Sequence, residues 1–143
     1  MSNREKAQEL YLSGYNCSQA VFGAFAQDLG VDFEDAMRIA SGFGGGIGRL
    51  RETCGALTGM LMAYGVKEGN IDGADAAGKA ATYEVCERLA DEFERRTGAM
   101  LCKNLIGVNR GDKTTPEDAA RHKKMCTEFV GCAADILGDY FKK

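Results

Sequence analysis

The amino-acid sequence predicts an all-α protein that forms one compact multi-helix domain over residues 1–143. Alanine, the best helix former, occurs 19 times, whereas valine and isoleucine together occur 11 times, a balance that favours helices over strands. Apolar residues recur at intervals of three and four, and no stretch shows the strict alternation typical of a strand. A chain of 143 residues is also long enough to bury a core without disulfide bonds.

The starts of the first three helices are marked by residues that commonly cap helix N-termini: Ser2, Asn16 and Asp32. Ser2 has Glu5 three residues later, which is the spacing of a capping box. Gly14 is expected to end the first helix, and Gly30 lies past the end of the second.

A glycine-rich segment over residues 42–48 interrupts this pattern, because a regular helix with so many glycines is unfavourable. After this segment, Thr53 is predicted to cap a fourth helix that starts at Cys54. The longest apolar pattern then begins near Ala76 and ends at Gly98.

The C-terminal part predicts a short helix over residues 99–106, a polar loop over 107–114 and a final long helix. Thr115 and Pro116 mark the start of that helix, since proline is favoured at the first helical position. The sequence leaves open whether the final helix breaks near Cys126.

Composition and charge exclude several classes of function. The net charge of −3 gives no basic surface for nucleic acid, and no apolar run is long enough for membrane insertion. The N-terminus lacks the apolar region of a signal peptide, which predicts a cytoplasmic protein. Since thiols stay reduced in that compartment, the six cysteines become the main candidates for chemistry.

No two cysteines have Cys-x-x-Cys spacing, which excludes the thioredoxin motif, zinc ribbons and clustered ferredoxin patterns. His122 is the only histidine, and we expect it to be exposed on a helix surface. Cys86 and Cys132 lie within apolar helical patterns and are expected to pack in the core.

Two cysteines are predicted to lie in the first turns of helices, Cys17 after Asn16 and Cys54 after Thr53. A helix N-terminus favours an anion, so both thiols are candidates for lowered pKa values. Arg49 and Arg51 add positive charge just before Cys54. Cys54 is therefore the best single candidate for a reactive or ligating thiolate, although a buried packing role is an open alternative.

The glycine-rich segment has two interpretations. It is a tight connection between helices, or its bare backbone lets a cofactor, substrate or anion approach Cys54. In the second interpretation, the binding residues are Gly44, Gly45, Gly46 and Arg49.

Three segments together resemble one known family. They are Gly14-Tyr15-Asn16-Cys17-Ser18-Gln19-Ala20-Val21, Gly42-Phe43-Gly44-Gly45-Gly46, and Cys54-Gly55-Ala56-Leu57-Thr58-Gly59. In this order and spacing they are similar to the C_GCAxxG_C_C family of small prokaryotic proteins. The resemblance implies a redox role for four family cysteines, as catalytic or metal-ligating residues, which map by local context to Cys17, Cys54, Cys102 and Cys126.

Three functions remain compatible with the sequence. The four cysteines could hold an iron–sulfur cluster or a zinc ion, or they could carry out thiol–disulfide exchange in which Cys54 attacks. A helical module that binds a small ligand or a partner, with purely structural cysteines, is the third. We favour a redox role, with an unidentified redox partner and with a homodimer as a further possibility.

Overall fold

The computed structural model describes residues 1–143 and confirms the all-α prediction. It contains seven α-helices and one short 3-10 turn at Ser41–Phe43. The helices are α1 (Asn3–Leu12), α2 (Cys17–Ala26), α3 (Phe33–Ala40), α4 (Gly55–Glu68), α5 (Ala76–Thr97), α6 (Cys102–Ile106) and α7 (Pro116–Phe141). There is no strand, only an isolated antiparallel bridge between Thr53 and Leu101.

The predicted helix starts are confirmed at four caps: Ser2, Asn16, Asp32 and Thr115. Each of these side chains accepts a hydrogen bond from the backbone N–H three residues later, which satisfies a donor that the helix leaves unpaired. Gly98 ends α5 in the left-handed conformation, as its position after the long apolar pattern indicated.

Two predicted boundaries were wrong. Cys54 itself is the N-cap of α4, so the helix starts one residue later than expected and Thr53 does not cap it. Residues 99–101 are not helical, because the backbone there pairs with the segment before α4 instead. The sequence left open whether the last helix breaks near Cys126, and α7 continues through this residue without a break.

The core surrounds α2, which packs against α1, α3, α4 and α7. Its largest fully buried apolar side chains come from four different helices: Phe22, Met60, Phe93 and Leu137. Cys132 is buried in this core and Cys86 packs against it, as predicted for both. None of the helices is both long enough and apolar enough to cross a membrane.

The crossing of α2 over α4 is close enough to require glycine. A Cβ atom added to Gly59 would lie 3.0 Å from the Cα of Ser18 and still closer to its carbonyl oxygen. A Cβ atom on Gly55 would lie 3.0 Å from the Ser18 amide nitrogen. Ser18 is fully buried here, and Thr58 donates a hydrogen bond of 3.3 Å to its hydroxyl. The backbones of the two helices are therefore in direct contact.

This contact predicts that one added methyl group changes the free energy of unfolding. Gly59→Ala should lower the free energy of unfolding by about 1–3 kcal/mol, because the backbone of Ser18 has no room to give way. Gly65→Ala is the matched control on the same helix, since a Cβ atom there would have nothing within 4 Å. It should raise the free energy of unfolding by up to about 1 kcal/mol through helix propensity. Urea unfolding measures both, and equal effects of the two variants would contradict the packing argument.

Candidate functional site

A cavity of about 400 Å³ brings together cysteines from distant parts of the chain. Its walls are formed by α1, α2, α6, α7 and the glycine-rich segment before α4. It is lined by the four cysteines that the family resemblance singled out: Cys17, Cys54, Cys102 and Cys126. Cys86 and Cys132 do not line it, and all six thiols of the chain are free.

The α2–α4 contact places the first two cysteines side by side. Cys17 is the first residue of α2, and Cys54 is the N-cap of α4. A Cβ atom added to Gly55 would lie 3.1 Å from the Cβ of Cys17, so the start of α4 lies directly against the start of α2. Both helix N-termini therefore point towards the same cavity.

Backbone pairing brings in the third cysteine. The Cys54 amide donates a hydrogen bond of 2.8 Å to the Met100 carbonyl, and the Cys102 amide donates one of 2.6 Å to Glu52. These bonds replace the helical turn that the sequence predicted at residues 99–101. They hold Cys102, at the start of α6, next to the segment that leads into Cys54.

The fourth cysteine comes from the middle of α7. Helix α1 packs along α7, where Arg4 forms ion pairs with Asp135 at 2.6 Å and with Glu128 at 3.1 Å. This packing places the Tyr11 hydroxyl, at the other end of α1, within hydrogen-bonding reach of Cys126. Cys126 thereby faces both Tyr11 and Cys17.

Cys17 and Cys126 have opposite pKa shifts. A hydrogen bond from the Cys17 thiol lowers the pKa of Cys126 to about 7, against the effect of burial and with help from the Tyr11 hydroxyl and the charge of Arg51. The same hydrogen bond raises the pKa of Cys17 well above its ordinary value, and burial raises it further. Within the pair, the negative charge is therefore favoured at Cys126 over Cys17.

The prediction of a thiolate at Cys54 was wrong. Burial raises the pKa of Cys54 to about 12, although the amides of Ala56 and Leu57 face the sulfur and favour the charged form. Neither amide reaches full hydrogen-bonding geometry with the sulfur. Burial also raises the pKa of Cys102, although Arg51 Nη1 lies 3.7 Å from its Sγ and opposes the shift.

The predicted binding residues of the glycine-rich segment divide into two groups. Gly45 and Gly46 line the cavity, whereas Gly44 packs against the side chain of Asn16 and Arg49 is exposed outside the cavity. The cationic side chain that reaches the thiols is Arg51. A Cβ atom on Gly46 would lie 2.6 Å from that of Cys102, so glycine is needed for this close approach.

The backbone of this segment is left-handed over consecutive residues. Gly45, Gly46 and Gly48 have positive φ, and so do the non-glycine residues Ile47 (67°), Arg49 (66°) and Arg51 (63°). A left-handed conformation costs an L-residue about 1–2 kcal/mol, and such strain is concentrated at functional sites. The segment uses this conformation to turn Arg51 towards the thiols.

The expectation that His122 is an exposed surface residue was also wrong. His122 lines the cavity, and its Nε2 atom is cut off from solvent without a hydrogen-bond partner in the protein. It precedes Cys126 by four residues on α7, a spacing that puts both side chains on one helix face. The sequence shows this spacing, but it does not show which face of α7 lies against the cavity.

The arrangement of the thiols does not fit a metal centre. No three side chains among the cysteines, the histidine and the carboxylates lie close enough together to hold a metal ion. A structural zinc site or an iron–sulfur cluster needs four such ligands around one point. We therefore derive no chemical step through a metal.

Comparison with known proteins identifies the family of the chain. Residues 15–140 match the model of the family described as "Putative redox-active protein (C_GCAxxG_C_C)". The match covers nearly the whole chain, so the protein belongs to this family, as its motifs indicated. No curated protein and no solved structure matches the chain.

The opposite shifts predict how Cys126 reacts with pH. Because only the thiolate is alkylated, the rate at which iodoacetamide labels Cys126 should fall as the pH drops through about 7. Cys17→Ala removes the main hydrogen bond, so it should move this midpoint upward, towards the free-thiol value of about 8.5. Mass spectrometry of digested protein measures the labelling at each pH.

Cys86→Ala is the matched control for that experiment. Cys86 is a partly exposed thiol outside the cavity, so its removal should leave the Cys126 midpoint unchanged. A midpoint at or above about 8.5 in the unaltered protein would contradict the assignment of Cys126 as the thiolate.

Proposed function

We propose that this member of the C_GCAxxG_C_C family is a dithiol–disulfide redox protein. In the proposal, Cys126 is the nucleophile and Cys17 is the thiol that resolves the mixed disulfide. The observation that carries it is that these two cysteines line one cavity and shift each other's pKa in opposite directions, downward at Cys126 and upward at Cys17.

The first step is attack of the Cys126 thiolate on one sulfur of a disulfide RSSR. A new S–S bond forms between Cys126 and one half of the substrate. The old S–S bond breaks with its electron pair on the other half, which leaves as RS⁻ and takes a proton from solvent. A thiol with a pKa near the ambient pH is the best attacking group in such exchange, which suits Cys126.

The second step is resolution by Cys17. Cys17 loses its proton to solvent and attacks the Cys126 sulfur, and the second half of the substrate leaves as a thiolate. The main cause of the raised pKa of Cys17 is its hydrogen bond with Cys126. Since that acceptor carries no charge in the mixed disulfide, Cys17 ionises more readily at the moment when it must attack. In total, two cysteine thiols are oxidised and one disulfide is reduced to two thiols.

The other two family cysteines do not enter these steps. Cys54 and Cys102 line the same cavity but keep raised pKa values, so both remain thiols near neutral pH. Arg51 and Tyr11 act on Cys126 and favour its thiolate. We assign them as positioning residues.

A four-thiolate metal centre is the second candidate, because all four family cysteines line one cavity, but it would require the thiols to move closer together than they are in this structure. The metal centre and the dithiol proposal require different sets of cysteines. A closed site with four ligands needs Cys54 and Cys102 as much as the other two, whereas the exchange reaction needs only Cys17 and Cys126.

The exchange mechanism predicts that Cys17→Ala stops the reaction halfway. Reduced protein is mixed with the uncharged 2-hydroxyethyl disulfide and then quenched in acid. Unaltered protein should form an internal Cys17–Cys126 disulfide, whereas Cys17→Ala should accumulate the mixed disulfide on Cys126. Mass spectrometry of the intact protein and its digest identifies both species.

Cys54→Ala and Cys102→Ala are the matched controls, since they remove the other two thiols of the cavity. Both should still form the internal disulfide, at a rate within about threefold of the unaltered protein. If instead either control lost the reaction together with bound metal in protein purified without oxygen, the metal centre would replace our proposal.

A further inference from the structure

We propose that the substrate of this cavity is a small disulfide that carries a negative charge. The proposal rests on the exchange function proposed above and adds the chemical class of the molecule.

The lining of the cavity is cationic in a protein that is acidic overall. The chain has a net charge of −3, yet no aspartate or glutamate lines the cavity. The ionisable side chains there, apart from the cysteines and tyrosines, are Arg51, His122 and Lys123. A cleft lined by one sign of charge concentrates ligands of the opposite sign and speeds their association.

Arg51 is held in place before any ligand arrives. Its amide donates a hydrogen bond of 3.1 Å to the Gly45 carbonyl, and its own carbonyl accepts one of 3.3 Å from the Lys103 amide. Its Nη1 atom lies 3.7 Å from the Cys102 sulfur. Arg51 forms no ion pair with a carboxylate of the protein.

His122 provides an unused hydrogen-bonding atom at the same place. Its Nε2 is buried in the cavity wall and has no partner in the protein, a situation that is rare for buried polar atoms. It lies one helical turn before Cys126, so a substrate whose sulfur reaches Cys126 also passes this nitrogen. In the tautomer that carries the ring proton on Nε2, this atom would donate a hydrogen bond to a carboxylate of the substrate.

The N-termini of α2 and α4 act in the same direction. Both helices begin at the cavity, with Cys17 and Cys54 as the residues that reach it. The positive ends of the two helix dipoles add to the charges of Arg51 and Lys123. Arg51, Lys123 and the two helix dipoles therefore favour an anion, and they act against the negative charge of the Cys126 thiolate.

The size of the cavity indicates a small molecule. Cavities of about 300–1,000 Å³ are typical of small-ligand sites, and this one measures about 400 Å³. Cys17 and Cys126 lie in its wall, and Cys54 and Cys102 are almost fully buried. The volume fits a low-molecular-weight disulfide, which would meet the partly exposed Cys17 and Cys126 before the buried Cys54 and Cys102.

The test uses three small disulfides of different charge on the reduced protein. They are 3,3′-dithiodipropionate with two carboxylates, 2-hydroxyethyl disulfide with no charge, and cystamine with two ammonium groups. The rate of Cys17–Cys126 disulfide formation is measured with each small disulfide. This rate is then corrected for intrinsic reactivity by dividing it by the rate at which the same small disulfide reacts with the neutral thiol 2-mercaptoethanol. The corrected rate for the dianion should exceed that for the dication by about tenfold or more at low salt. This ratio should shrink as salt is added.

Two neighbouring lysines provide a matched pair of variants. Lys123→Gln removes a charge from the cavity, whereas Lys124→Gln removes the same charge from an exposed residue outside it. Relative to the uncharged probe, Lys123→Gln should lower the dianion rate several-fold and Lys124→Gln should leave it nearly unchanged. Arg51→Gln and Arg49→Gln form a second such pair, since both arginines have left-handed backbone and only Arg51 lines the cavity.

The outcomes separate the two proposals. Equal corrected rates for all three probes, or equal losses in the two lysine variants, would overturn the anionic substrate while the exchange function stands. If the uncharged probe also fails to form the Cys17–Cys126 disulfide, the exchange function itself is wrong, and the substrate class fails with it.

Discussion

The direct backbone contact between α2 and α4 is the constraint on which the rest of the site depends. Because Gly55 and Gly59 have no side chains, α4 lies against Ser18 and its first residues meet the start of α2. This contact brings Cys17 and Cys54 to one cavity. Backbone hydrogen bonds of the segment before α4 hold Cys102 at the same cavity. The glycines of the motif are therefore needed for packing.

Competition between burial and local charge decides which cysteine is a thiolate. A helix N-terminus stabilises an anion by about 0.3–2 kcal/mol. The rise in the pKa of Cys54 from 9.0 to about 12 corresponds to about 4 kcal/mol against its thiolate, so burial outweighs the helix end. Cys126 has no helix end but has hydrogen bonds from Cys17 and Tyr11, which act at shorter range and overcome its burial.

The glycine-rich segment contributes a cation to this balance. Its left-handed turn directs Arg51 to the Cys102 sulfur, where its charge also favours the thiolate of Cys126. The left-handed conformation of Ile47, Arg49 and Arg51 is unfavourable in free energy, and the stability of the surrounding fold offsets it. The strained backbone and the thiols thus belong to one site, in which Arg51 contacts Cys102 and its charge acts on Cys126.

The sequence by itself determined the helices, the caps at Ser2, Asn16, Asp32 and Thr115, and the four family cysteines. Capping depends on contacts within four residues, and a family motif survives in the order of residues, so both are readable along the chain. Tertiary structure decided that the pKa is lowered at Cys126 and raised at Cys54, that Arg51 rather than Arg49 reaches the cavity, and that His122 lies in its wall. Burial and hydrogen bonds between distant helices set these outcomes, and both depend on which faces pack together.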